Sequence, residues 1–152
     1  MKILIDANIL IRLANPVDPG RIPSIDALDD LLDGGHEPML VPQVLYEFWV
    51  VATRPVANNG LEMTVAETDA DLAKFCARFE IIDDSDAIFA TWRDLVTRYA
   101  VVGKLAHDAR LVAAMICHGI THILTFNDQD FFRFSEIVVV NPTAAGSLPP
   151  SS

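Results

Sequence analysis

The chain lacks the features that mark membrane, secreted and disulfide-rich proteins. No apolar run is long enough to span a bilayer, and the N-terminus lacks the basic-then-apolar order of a signal peptide. The only cysteines, Cys76 and Cys117, fall within apolar helical patterns and have no metal-ligating neighbour at the usual spacing. We therefore expect a soluble, cytoplasmic protein with no membrane contact, in which both thiols are free and buried.

Positive charge is also scarce. The sequence has 11 Lys and Arg residues against 21 Asp and Glu residues, which gives a net charge of −10. This balance argues against binding an anionic polymer through broad charge neutralisation. It leaves open local basic patches, bound metal cations or a basic partner protein.

The apolar residues that are present follow the pattern of an α/β protein. With 152 residues, of which 51% are hydrophobic, the chain is large enough for one domain with a sizeable core. Short apolar runs alternate with helical periodicity, which predicts an α/β fold with a mainly parallel sheet. We expect the domain to cover residues 1–142, and the Pro-, Ser- and Ala-rich residues 143–152 to form a disordered tail.

An acidic residue ends the first predicted strand. The run Ile3 to Ile5 is typical of a strand buried on both faces, and helical spacing resumes from Ile9. Ligands of α/β sheets bind outside the carboxyl ends of the strands, so Asp6 is a candidate site residue. The alternative is that Asp6 only caps the helix that follows.

A second acid, Glu47, lies on the apolar face of a helix predicted from about residue 43 to residue 54. It shares that face with Val44 and Val51. A carboxylate in such a place is costly unless it is paired or binds a cation, which makes Glu47 a candidate ligand. An edge position from which it reaches solvent or Arg54 is the alternative.

Further polar residues follow two later element junctions. Asp108 stands at the start of a predicted helix, either as a cap or as a ligand. Thr125 ends a predicted strand and leads into the polar turn Asn127 to Asp130. The acids at Asp83 to Asp86 are interpreted as the first turn of another helix, where they complement the helix dipole.

Taken in order, these segments resemble the PIN domain, and within that family the VapC-like toxins of bacterial toxin–antitoxin pairs. The matching segments are Ile3 to Asn8, Pro42 to Thr53, His107 to Ala114 and Ile123 to Phe131. The resemblance spans nearly the whole chain, to about residue 142. It implies a three-layer α/β/α fold with a sheet of roughly four to five strands.

The resemblance also implies a metal-dependent endoribonuclease that hydrolyses RNA phosphodiester bonds. The acids that the family uses for catalysis and metal binding correspond here to Asp6, Glu47 and Asp108. The supporting positions correspond to Asn8, Thr125, Asn127, Asp128 and Asp130, with the fourth acidic position among the last three.

The implied cofactor is Mg²⁺, with Mn²⁺ as a possible substitute, since hard divalent cations take oxygen ligands. Our mechanistic hypothesis is that Asp6 and Asp108 hold the principal metal, while Glu47 orients or deprotonates the attacking water. The implied partners are an RNA substrate, a small antitoxin protein and a second copy of the chain in a homodimer.

Five basic or titratable residues lie near the matching segments. Four of them are candidates for phosphate contacts, although each also fits a solvated surface charge: Arg12, Arg54, Lys104 and Arg110. His107 is a candidate acid or base, and a structural role fits it equally.

Three other functional classes are alternatives to the nuclease. A receiver domain would have an adjacent acid pair after the first strand and a lysine after the last, and this chain has neither. A haloacid-dehalogenase-type phosphatase would have a second Asp where Asn8 stands. The main alternative is a PIN-like interaction module with little or no nuclease activity. The net acidity and the ambiguous fourth position leave it open, whereas the presence of Asp6, Glu47 and Asp108 together argues against it.

Overall fold

A five-stranded parallel sheet forms the centre of the protein. The computed structural model describes residues 1–152. The strands in chain order are β1 (Lys2–Ile5), β2 (Glu37–Leu40), β3 (Glu80–Ile81), β4 (His122–Leu124) and β5 (Val138–Val140). Their order across the sheet is β3-β2-β1-β4-β5, and every neighbouring pair is parallel. The predicted α/β fold with a parallel sheet is confirmed.

Seven α-helices flank this sheet. They are α1 (Ala7–Ala14), α2 (Arg21–Asp33), α3 (Pro42–Thr53), α4 (Val65–Arg78), α5 (Ile88–Arg98), α6 (Leu105–His118) and α7 (Asp128–Phe131). Right-handed crossovers put α1 to α4 on one face, because β1 to β3 advance in one direction across the sheet. The chain then crosses back to β4 and β5, which puts α5 to α7 on the other face. The contacts of α1 with α2 and α3, and of α5 with α6, agree with this division.

The central strand β1 delivers its last residue to the edge where a site is expected. Ile3, Leu4 and Ile5 are completely buried, as the continuous apolar run predicts. Ile5 pairs with Leu124 of β4, so the residues that follow these two strands emerge side by side. The backbone N–H of Asp6 extends the ladder by donating to the Leu124 carbonyl at 3.1 Å.

The acids at Asp83 to Asp86 do not form a first helical turn. Helix α5 begins later, at Ile88, and the four residues lie in the connection that precedes it. Ser85 starts a local turn there, since its hydroxyl accepts from the N–H of Ala87 at 3.2 Å. Asp84 instead accepts a hydrogen bond from Arg110 of α6.

The C-terminal residues differ from the disordered tail that their composition predicts. Pro142–Ser147 form a 3-10 helix that packs on α2, with Ala145 only 2% exposed. The side chain of Asn141 caps this helix by accepting from the N–H of Thr143 at 3.1 Å. Further on, the N–H of Ser151 donates to the Gly34 carbonyl at 2.8 Å. These contacts give the segment a docked position despite its polar, Pro-rich sequence.

No helix is both long and apolar enough to cross a membrane. Both cysteines are free, and Cys117 is half-buried rather than buried as predicted. Cys76, however, is exposed on α4 rather than buried, because the apolar face of that helix is carried by residues such as Phe75.

Candidate active site

The candidate acids surround one cleft at the carboxyl edge of the sheet. The cleft has a volume of about 640 Å³, and it lies between the end of β1, helix α3 and the start of α6. Asp6, Glu47 and Asp108 all line it, although they are far apart in sequence. Parallel topology explains the convergence, because the helices that follow β1 and β2 begin at the same edge of the sheet.

Asp6 is both a helix cap and a wall of this cleft. It is 6% exposed, and its Oδ1 accepts from the N–H of Ala7 at 2.7 Å. Its Oδ2 accepts from the hydroxyl of Thr125 at 2.7 Å and from the amide of Asn8 at 3.0 Å. The capping and site interpretations of Asp6 are therefore compatible, since the residue that caps α1 also lines the cleft.

Thr125 and Asn8 form a hydrogen-bond network with Asp6. The Thr125 hydroxyl also accepts from the Asn8 amide at 2.9 Å and from the N–H of Asn127 at 3.0 Å. The Asn8 carbonyl oxygen accepts from the N–H of Phe126 at 3.3 Å. These bonds tie the start of α1 to the turn after β4, so both supporting residues hold the Asp6 carboxylate in place.

Glu47 is held by a residue that sequence reasoning missed. Gln43, one helical turn earlier on α3 and 7% exposed, donates its amide to Glu47 Oε1 at 2.9 Å. The same amide nitrogen donates to the His107 carbonyl at 2.8 Å, which joins α3 to the start of α6. The i, i+4 spacing of Gln43 and Glu47 was the available signal. Arg54 does not reach Glu47; its guanidinium donates to the Asn59 carbonyl instead.

Asp108 lies in the first turn of α6 and is half-buried. Lys104, not Asp108, occupies the position that precedes the helix, so Asp108 is not the N-cap. Its carboxylate makes no hydrogen bond or ion pair with the protein, and it faces the cleft. His107, beside it, is exposed and lines the same cleft.

The segment after β4 separates its three candidates, and Asp128 and Asp130 lie in the short helix α7 rather than in the predicted turn. The carboxylate of Asp128 accepts from the Asn141 amide at 3.1 and 3.2 Å, so it is engaged by the C-terminal segment. Asn127 lines the cleft with an exposed side chain. Asp130 raises the pKa of both Asp6 and Asp108 by charge repulsion, so its carboxylate is the one in this segment whose charge reaches both acids.

The acids in and near the cleft repel one another and have no basic side chain as a partner. Burial, reinforced by repulsion from Glu47 and Asp130, raises the pKa of Asp6 to about 6. Burial also raises the pKa of Asp108 to about 7, together with repulsion from Asp130, Asp6 and Glu47. None of these four acids takes part in an ion pair. Only Lys104 opposes the shift at Asp108.

The candidate phosphate-binding residues are mostly engaged elsewhere. Arg12 pairs with Asp18 at 3.0 Å and lies over the ring of Phe126. Arg110 lines the cleft, and its guanidinium donates to Gln43 Oε1 at 2.8 Å and to Asp84 at 3.1 Å. Lys104 is exposed at the start of α6.

The donor set of the cleft fits a hard divalent cation. All four acids offer oxygen, and two have pKa values raised in part by mutual repulsion that a cation among them would relieve. In the structure as it stands, no three His, Cys, Asp or Glu side chains lie close enough together to ligate one ion. The fit therefore rests on the chemistry of the donors.

A parallel five-stranded α/β fold with acids at the carboxyl edge defines the structural class of this protein. The PIN domain profile matches residues 3–137, which is most of the chain. The protein therefore belongs to the PIN domain family, as the sequence motifs indicated. No curated protein sequence is significantly similar to the chain.

Solved structures of toxin–antitoxin proteins share the fold. VapBC2 from Rickettsia felis, bound to a DNA fragment from its promoter, is similar with a TM-score of 0.72 and 19% identity, over 93% of this chain and 98% of that chain. A toxin–antitoxin complex from Klebsiella pneumoniae has a TM-score of 0.60 and 24% identity, with 92% and 97% covered. VapC20 from Mycobacterium tuberculosis, a toxin that cleaves the sarcin-ricin loop, has a TM-score of 0.61 and 18% identity, with 84% and 92% covered.

Proposed function

We propose that the protein is a divalent-metal-dependent endoribonuclease and the toxin component of a type II toxin–antitoxin pair. The observation that carries this proposal is the set of three acids that line one cleft, Asp6, Glu47 and Asp108, together with Asp130, whose charge reaches Asp6 and Asp108. None of the four is paired with a basic side chain. Crowded carboxylates are costly for a purely structural site, which would gain from neutral or basic replacements. They are the ordinary requirement for binding Mg²⁺ or Mn²⁺.

Asp6 and Asp108 are proposed as the principal metal ligands. Asp6 is preorganised by Thr125 and Asn8, which leave it little rotational freedom. Asp108 has no competing protein partner, so its carboxylate is available to a ligand. The bound metal would make a water more nucleophilic at neutral pH and stabilise negative charge on the leaving oxygen.

Glu47 is proposed to orient the attacking water or accept its proton. It lines the same cleft as the proposed ligands and keeps one carboxylate oxygen free of the bond to Gln43. Asp130 is proposed as the fourth acid, because its charge reaches both Asp6 and Asp108.

The RNA phosphate is proposed to approach on the side of Arg110. Two anchors fix this guanidinium at the wall of the cleft, and a fixed guanidinium suits phosphate recognition. A single basic residue of this kind matches the acidic balance of the chain, which disfavours a broad basic surface.

An antitoxin partner and a homodimer are proposed alongside the activity. The Klebsiella structure described above is a toxin–antitoxin complex by its own description. In this chain, Tyr46 and Val50 are 64% and 57% exposed at the mouth of the acidic cleft. An apolar segment that carries a basic residue would complement that surface. Light scattering of the purified protein, alone and with the product of an adjacent small reading frame, tests both assemblies.

The nuclease proposal is tested by cleavage of a structured RNA with purified protein. We expect cleavage that requires Mg²⁺ or Mn²⁺, stops with chelator, and falls by at least about 100-fold in Asp6→Asn, since that change removes a proposed metal ligand. Asp26→Asn is the matched control, because Asp26 is exposed on α2 and loses the same charge.

Equal, weak cleavage by wild type and Asp6→Asn, with no Mg²⁺ binding signal by calorimetry, would refute the nuclease proposal and favour an interaction module. Cleavage that persists in chelator would also refute it.

A further inference from the structure

We propose that Gln43 is a positioning residue that keeps Arg110 from forming an ion pair with Glu47, and so keeps Glu47 available to the divalent cation. The inference concerns the same cleft and rests on the proposed function. It depends on one buried carboxamide whose two ends hold groups of opposite charge.

Gln43 bonds an acid, a base and a backbone carbonyl at the same time. Its amide nitrogen donates to Glu47 Oε1 at 2.9 Å and to the His107 carbonyl at 2.8 Å. Its carbonyl oxygen accepts from Arg110 Nη1 at 2.8 Å. The side chain therefore lies directly between the Glu47 carboxylate and the Arg110 guanidinium, and both of its polar atoms are in use.

Without this carboxamide, the two charged groups would each lose a partner on the side that faces the other. A charge-assisted bond between guanidinium and carboxylate is the strongest replacement available to either. Arg110 is otherwise fixed only by Asp84, at 3.1 Å through its other terminal nitrogen, so Nη1 would be free to move towards Glu47. An acid in such a pair is a poorer ligand for a cation, because its charge is already compensated.

A simple tie between helices would be the alternative role. Gln43 also joins α3 to the start of α6 through the His107 carbonyl, and loss of that bond alone would lower stability. The two roles differ in what Arg110 does after Gln43 is replaced, which makes Arg110 the discriminating position.

The experiment measures Mg²⁺ and Mn²⁺ binding by calorimetry to four full-length proteins: wild type, Gln43→Met, Gln43→Met/Arg110→Met and Gln43→Glu. Methionine preserves the length of the side chain and removes both polar atoms. We expect Gln43→Met to bind the cation about five- to ten-fold more weakly, the size of a partly exposed ion pair that must be broken. We expect the second change, Arg110→Met, to restore the affinity to within about two-fold of wild type.

Gln43→Glu has the same shape and keeps an acceptor for Arg110, but it loses the bonds that the amide nitrogen donates to Glu47 and to the His107 carbonyl. Because the guanidinium stays at position 43, the cation affinity should fall less than it does in Gln43→Met. Gln43→Ala replaces Gln43→Met if the methionine variant does not fold, as judged by circular dichroism.

Two results would overturn the inference. One is a weakened affinity in Gln43→Met that Arg110→Met fails to restore, and the other is an affinity in Gln43→Met that equals that of wild type. The test is separate from the nuclease proposal, because it reads cation binding and not RNA cleavage. A wild type that binds the cation but does not cleave RNA would defeat the proposed function and leave this inference standing.

Discussion

Replacing Asp108 by asparagine should stabilise the metal-free protein at pH 8 and leave it unchanged near pH 4. In the folded protein the pKa of Asp108 is about 7, against an ordinary value of 3.8, because of burial and repulsion from three acids. Between pH 4 and 7 the folded state therefore keeps a proton that the unfolded chain has released. The free energy of unfolding falls as the pH rises through this window, and the full penalty is present above pH 7.

The size of the effect follows from the shift of the pKa. The difference between the two pKa values corresponds to about 4 kcal/mol. Asp108 is only half-buried, and solvent screening at such a site reduces the expected effect to about 1–2 kcal/mol. The asparagine has nearly the same shape and cannot ionise, and Asp108 has no hydrogen bond to the protein that the change would remove. The gain in stability should therefore approach that range.

The assay is urea denaturation of both proteins at pH 4 and pH 8 in the presence of chelator. Asp26→Asn, on the exposed side of α2, removes the same charge and should shift stability by less than about 0.5 kcal/mol at either pH. A difference between wild type and Asp108→Asn that is the same at both pH values would refute the reasoning, as would a less stable variant at pH 8.

Divalent cation should reverse the ranking. A ligand present at one hundred times its dissociation constant stabilises the folded state by about 2.7 kcal/mol, which exceeds the expected advantage of Asp108→Asn. Wild type should gain this from Mg²⁺ at pH 8, whereas Asp108→Asn, which lacks a proposed ligand, should gain much less. Equal stabilisation of the two proteins would argue that Asp108 is not a ligand.

Three further predictions concern the supports of the site and the C-terminal segment. Thr125→Val should lower the free energy of unfolding by about 1–3 kcal/mol in urea, because the hydroxyl bonded to the carboxylate after β1 is lost; a change below 0.5 kcal/mol would contradict this. Asp130→Asn should reduce Mg²⁺-dependent RNA cleavage at least about ten-fold, whereas Asp128→Asn should reduce it less than about three-fold; the reverse order would reassign the fourth acid. Ala145→Asp should make residues 143–152 sensitive to limited proteolysis, because it puts a charge at a buried contact with α2. The control is Ala144→Asp, at the exposed neighbouring position. Equal sensitivity of both variants would show that the segment is not docked through this face.

The fold was predictable from the sequence because its signals are local and redundant. The run Ile3 to Ile5 is apolar at every position, and a strand of that kind fits only a sheet covered on both faces. The boundaries of the helices were less predictable where polar side chains bond to residues distant in sequence. Asp83 to Asp86 look like a helix start, but Asp84 bonds Arg110 and α5 begins only at Ile88.

The docked position of the C-terminal segment could not be read from its composition. Its anchors are single contacts made with distant residues, such as the bond between Asn141 and Asp128. A Pro- and Ser-rich stretch carries the same compositional signature whether or not such partners exist.

The acids of the cleft were easier to predict than the residues that govern them. Each of the three acids, Asp6, Glu47 and Asp108, stands at the junction of two elements or on an apolar face. A carboxylate in such a place is costly unless it is paired or binds a cation. Gln43 carries no charge and breaks no pattern, so its sequence context gave only an i, i+4 spacing to Glu47. Its importance arises from two contacts that α6 supplies, the His107 carbonyl and the Arg110 guanidinium.

The contrast between Asp6 and Asp108 follows from how each is supported. Asp6 accepts three hydrogen bonds, and its pKa is raised because burial, together with repulsion from Glu47 and Asp130, outweighs their effect. Asp108 accepts none from the protein, so its raised pKa has no such opposition apart from Lys104. Asp6 is already fixed by its hydrogen bonds, so a cation that binds between the two carboxylates need not reorder it. The main effect of such a cation would be to relieve the repulsion that raises the pKa of Asp108. Cation binding should therefore release protons chiefly from Asp108 when it occurs near pH 7, and calorimetry in buffers of different ionisation enthalpy should detect that release in wild type and lose most of it in Asp108→Asn.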